Sequence, residues 1–218
     1  TVDWANPTSS SISTAQELDT TPFDGVFNGG SFQNLDEPGS GPNLDAIQAT
    51  MMYMTNYRRF GTHNSVVLNF VIDISGNDTQ AGIRWYELRQ TADGQPWTIH
   101  QEGTYVQPDG HNAYCGSIMM DSQGNIGLGY TIVSSTVNTS LRYTGRLASD
   151  PAGLMTFGEN VIVDGDGTEN RGDGRYGDYA QLTIDPTDDL TFWHIGEYFK
   201  GPDASLLRRS RVAAFRIG

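Results

Sequence analysis

The chain has 218 residues, enough for one large all-β domain or two small ones with a sizeable core. Asp and Glu number 26 against 13 Lys and Arg, a formal net charge of −13 that repels nucleic-acid backbones and anionic membranes. The single cysteine, Cys115, excludes an internal disulfide, and no apolar run approaches the roughly 18 residues a membrane helix needs. The 26 glycines, with Asn, Asp, Ser and Thr filling the gaps between apolar runs, describe a turn-rich β protein.

The opening "TVDWANP" lacks an initiator Met and reads as a processed or excised chain. With few lysines and a strong negative charge, the composition suits a secreted or cell-surface, extracellular setting. "QELDTTPFDG" at residues 16–25 matches "QEGTYVQPDG" at 101–110, with Gln-Glu and Asp-Gly at the same spacing. Residues 1–25 therefore read as an orphan outer strand of a preceding unit, and residues 26–50 as a Gly/Pro-rich insertion loop.

Residues 51–58 form a first strand, A, followed by a turn and a second apolar strand, B, over 65–73. A third strand, C, centres on Arg84, and "TIHQEGTY" after Pro96 is a fourth, D, closing a unit over 51–110. The pattern recurs over 111–165, with "YCGSIMM" as A, "NIGLGYTIV" as B, "TSLRYTGRL" around Arg142 as C and "LMTFGENVIV" as D. It recurs again over 166–218, ending on a C strand around Arg211 with no D after it. Asp121 and Asp185 lie 64 residues apart, which aligns the turns "SQGN" and "PTDD" and sets Tyr130 on His194. Four antiparallel strands per unit of about 60 residues predict β-propeller blades. About three blades fall short of the usual four to eight, so the expected fold is an incomplete propeller. Another polypeptide chain, or a missing N-terminal part of the same precursor, would complete it; two copies joined by their loose ends would make six blades. A β-sandwich with coincidental spacing is the other all-β reading.

Each candidate site has a structural reading beside the functional one. Asp178, with Tyr179 and Tyr114, lies near the start of inner strands, where a propeller channel opens and ligands bind; Asp178 could instead cap a turn or pair with Arg175 or Arg171. Arg84, Arg142 and Arg211 occupy matching places, and three arginines can grip a carboxylate. On strand C they lie outside a channel lining, so ion pairs within or between blades explain them better. In "DGDGTENRGDG", Asp164, Asp166, Glu169 and Asp173 offer hard oxygen ligands for calcium, or form a solvated loop. His63, His100, His111 and His194 lack close metal-ligand spacing, and no nucleophile elbow, P-loop or dinucleotide fingerprint appears.

The motifs "GIRWYELR", "GSIMMDSQGNIGLGY", "RYTGRLASDPAG" and "RYGDYAQLTIDPTDDLTFW" resemble an uncharacterised family of secreted bacterial proteins whose body is similar to sialidase-like β-propellers. Tyr176, Cys115 and Leu190 stand where that family tends to have Trp, Trp and Cys. The resemblance implies a secreted propeller and brings no activity with it. The expected function is a non-catalytic extracellular module for surface attachment or recognition of a polymer, glycan or protein. A sialidase-like glycoside hydrolase, with Asp178 and a carboxylate from another blade, and a structural subunit assembling by strand addition are the alternatives.

Overall fold

The computed structural model describes residues 2–52, 54–169, 172, 174–201 and 208–218. They form an all-β structure with two single-turn 3-10 segments, Pro7–Ser9 and Asn28–Gly30, and three antiparallel sheets. Among the described residues no helix is long and apolar enough to cross a membrane.

The first sheet is a meander of β1 (Asn56–Arg59), β2 (Asn64–Asp73), β3 (Ala81–Gln90) and β4 (Thr98–Tyr105). The second repeats it with β5 (Asn112–Met120), β6 (Ile126–Ser134), β7 (Val137–Arg146) and β8 (Phe157–Val163). The third has three strands, β9 (Gln181–Ile184), β10 (Phe192–Phe199) and β11 (Arg208–Phe215), leaving β11 at the edge. The three units read from the sequence are thus three sheets, and the third lacks a fourth strand among the described residues.

Alternation sets which face packs. In β2, Val67, Asn69 and Val71 turn toward the second sheet, where Val67 joins Ile83, Trp85, Leu128, Tyr130 and Ile132 in one core. Asn69 Nδ2 donates to the Gly116 carbonyl at 2.9 Å across the joint, and Asn56 Nδ2 donates to the Ile118 carbonyl at 2.6 Å. The opposite face of the second sheet meets the third, where Phe192, Leu182, Phe215 and Ile217 pack together. Gly127 and Gly129 admit this contact: a Cβ at Gly127 would lie 2.9 Å from the Phe192 ring.

The A-to-B turns follow their sequence. Asp121 Oδ1 accepts the backbone N–H groups of Gln123 and Asn125 at 2.9 and 2.8 Å, while Gly124 takes φ 84°. In the matching turn, Asp185 Oδ1 accepts from Thr187 N at 2.8 Å, and Asp188 Oδ1 from Leu190 N and Thr191 N at 2.9 Å each.

Three expectations need correction. The first A strand is regular only over Asn56–Arg59; Met51 makes a single bridge to Phe70. Residues 16–25 form no regular strand; within them Asp24 makes a single bridge to Asp73. Arg211 does not match Arg142: Arg142 lies opposite Tyr130, whereas His194, the counterpart of Tyr130, lies opposite Ala213.

Candidate functional site

The starts of the A strands of the second and third sheets meet the insertion loop at one end of the molecule. Residues 26–50 are held there by Phe27, Leu35, Leu44 and Ala46, which are buried with Tyr114, Cys115, Tyr176 and Phe199. A single bridge, Leu35 to Leu44, folds the loop back on itself, and Asp45 N donates to the Gly174 carbonyl at 3.0 Å. The loop is therefore part of the core at this end, built on apolar side chains spaced among its turn residues.

Asp178 and Tyr179 sit just ahead of β9, joined by a cis peptide bond. The Asp178 carboxylate pairs with Arg175, the structural role the sequence suggested for it. Tyr179 is 62% exposed. Tyr114 is fully buried against Tyr176, ring centroids 5.9 Å apart, and offers no surface to a ligand in solvent; its phenol is pushed well above the usual range by burial. The reason is a bulge in β5 between Tyr114 and Ser117, with Cys115 at φ 47°, which turns both side chains into the core. Asp45 lies near the Arg175–Asp178 pair: burial raises its pKa, while the Ile47 N–H at 2.8 Å and then the Arg175 charge oppose that and the Asp178 charge adds to it.

Near Arg175 lies an acidic pair, Glu37 and Glu169. Glu37 Oε2 accepts the backbone N–H of Glu169 at 2.9 Å, and both residues are buried. Burial pushes the Glu37 carboxyl up to about 7, against the pull of that hydrogen bond and with a contribution from the Glu169 charge. Glu169 Oε2 accepts from Arg208 at 2.6 Å, and the same guanidinium donates to the Arg175 carbonyl at 2.6 Å. Gly41 closes over the pair, since a Cβ there would lie 2.5 Å from Glu37 Oε1.

The described members of the calcium set are each held by a different cation. Asp164 pairs with Arg142 at 2.6 Å, Asp166 with Lys200 at 2.6 Å and Glu169 with Arg208; Asp173 lies outside the described residues. Among the described residues no group of three or more His, Cys, Asp or Glu is placed to hold a metal ion. Arg84 and Arg142 are buried in ion pairs within their own sheets, with Glu102 at 2.9 Å and with Asp164 and Glu159, while Arg211 is exposed. Arg171 lies outside the described residues.

Glu37, Asp45 and Arg208 were missed in the sequence. Glu37 and Glu169 are 132 residues apart, and no local spacing announces their contact.

No family model matches the chain, and no curated protein does. The secreted bacterial family suggested by the four motifs thus has no counterpart in these comparisons. Among solved structures, the chain is similar to α-L-arabinofuranosidase from Lactobacillus brevis, at 10% identity and a TM-score of 0.41. The likeness covers 75% of this chain and 52% of that one, so the chain spans about half the length of the structure it matches. A likeness of this extent has no bearing on activity.

Proposed function

We propose that the chain is part of a secreted β-propeller that recognises a polysaccharide without cleaving it. Three face-packed meanders in succession support the propeller reading, each sheet standing as one blade. The observation that carries the functional reading is the rim ahead of β9, where the exposed ring of Tyr179 stands beside the Arg175–Asp178 pair. An open aromatic face stacks on a sugar ring, and adjacent charged groups bond to hydroxyls. A net charge of −13 favours a neutral or cationic glycan over a polyanionic one.

One observation favours the hydrolase reading: burial raises the Glu37 carboxyl to about 7, the range of a proton donor, and a second carboxyl, Glu169, lies beside it in an ion pair with Arg208. Against it stands their burial beneath Gly41, which keeps a glycosidic bond out of reach. The test is retention of the protein on insoluble neutral polysaccharides. Tyr179→Ala is expected to weaken retention about tenfold, roughly 1.4 kcal/mol, and Glu37→Gln to leave it unchanged. Unaltered retention of Tyr179→Ala would remove the rim from the account.

A further inference from the structure

The outer faces of the first and third sheets both carry apolar side chains. On the first sheet, Leu68, Phe70, Tyr86, Leu88 and Ile99 line a groove of about 290 Å³ together with Leu18 and Phe23. On the third, Trp193, Ile195 and Val212 point away from the second sheet and are 41%, 42% and 55% exposed. The repeat says what each face should meet. Leu128 and Tyr130, two residues apart on β6, are buried against the first sheet, and Leu68 and Phe70 hold the matching register on β2. The face carrying Trp193 and Ile195 matches the face of β6, with Gly127 and Gly129, that carries the third sheet.

The segment 16–24 lies on the first sheet as β4 lies on the second. Tyr130 donates to Glu159 at 2.6 Å while Tyr105 bonds Tyr130 at 2.6 Å; correspondingly, Thr21 donates to Glu102, the partner of Arg84. Gln101 Oε1 accepts the Gly153 N–H at 3.0 Å; correspondingly, Gln16 Oε1 accepts the Trp97 N–H at 2.9 Å. The segment therefore has the place of an outer strand, held by the Thr21 N–H and hydroxyl on Glu102 and by the Gln16 side chain on Trp97, yet residues 16–23 make no backbone-to-backbone hydrogen bond to another described segment. The outer edge of β11 likewise has no paired strand among the described residues. Charge agrees: Arg209 and Arg211 lie along β11, and Glu17, Asp19 and Asp24 along the segment.

We propose that two copies of this chain close head to tail. β11 of each copy pairs with residues 16–24 of the other, and Trp193, Ile195 and Val212 seat on the partner's Leu68. Both halves of the contact are on one chain, so the contact is heterologous, and two copies bring six sheets into one ring, within the usual four to eight. The inference rests on the propeller reading but not on the glycan reading.

Sedimentation velocity of the wild-type chain at about 20 µM tests it. The expected mass is twice 23.8 kDa, with dissociation rising at high salt as the arginine and carboxylate charges are screened. Trp193→Asp and Leu18→Pro should each give the single-chain mass with an unchanged β-sheet circular dichroism spectrum. Mixing these two variants should recover part of the dimer, because one of the two joints is then intact. Should Trp193→Asp misfold, the exposed pair Arg209→Glu/Arg211→Glu reads the same joint through a weakened dimer. A wild-type monomer, a dimer indifferent to these substitutions, or an open polymer would overturn the proposal. A monomer that still binds polysaccharide would overturn this inference alone and leave the functional reading in place.

Discussion

Arg58 and Asp189 form a two-pronged ion pair between the first and third sheets, with guanidinium nitrogens 2.8 and 2.6 Å from the two carboxylate oxygens. Arg58 Nε also donates to the Met120 carbonyl at 3.0 Å, at the end of β5, so one side chain ties all three sheets where their A strands finish. The turns meet there as well: Ser122 N donates to the Asp189 carbonyl at 2.9 Å. Two parallel bonds fix direction as well as distance, which the apolar packing between the sheets does not.

Arg58→Ala should lower stability by about 1–3 kcal/mol, since Arg58 is mostly buried and its loss leaves the Met120 carbonyl without this donor. Urea unfolding of Arg58→Ala, Asp189→Asn and the double variant measures the coupling. Additive losses would mean that the pair does not bind the sheets together.

Gly129→Ala should cost about 1–3 kcal/mol or more. A Cβ there would stand 2.3 Å from His194 Nδ1, and this side chain is fully buried between two sheets, so the joint has to open. Adding His194→Ala should recover part of the loss by vacating the space. Thermal unfolding of the three variants decides it.

His194 also makes the joint acid-sensitive. Burial lowers its pKa to about 4, so between 6.5 and 4 the unfolded chain binds a proton that the folded chain refuses. Stability from this group is full above 6.5 and falls as the pH drops toward 4. His194→Gln should flatten that part of a stability-against-pH curve.

Glu37 acts in the opposite sense. Its folded pKa of about 7 lies above the ordinary 4.5, so the folded state holds the extra proton. Its contribution is full below 4.5 and is lost as the pH rises toward 7, by about 1–2 kcal/mol once partial solvent screening is allowed for. Glu37→Gln should therefore gain on the wild type at pH 7.5 and show no gain at pH 4. A gain that is the same at both values would contradict the assignment.

How much of this could be read beforehand follows from how local each interaction is. The hairpins around Asp121 and Asp185 were legible because turn residues and alternating strands lie within a few positions of each other. The bulge that buries Tyr114 was not legible, since one extra residue in β5 reverses which side chain faces the core. Nor was the register that separates Arg211 from Arg142, which depends on pairing and not on spacing. The loop over Glu37 and Glu169 was read as an insertion because its glycines and prolines outweighed the four apolar residues that anchor it.

The central claim is recognition of a polysaccharide without cleavage. The most direct measurement incubates the protein with insoluble neutral polysaccharides and records, from one sample, the fraction of protein retained and the reducing ends released. The account predicts saturable retention, weakened by Tyr179→Ala, with no reducing ends above the protein-free control. Reducing ends that rise in proportion to protein and time would contradict it, and their loss in Glu37→Gln would assign the chemistry to the buried acidic pair.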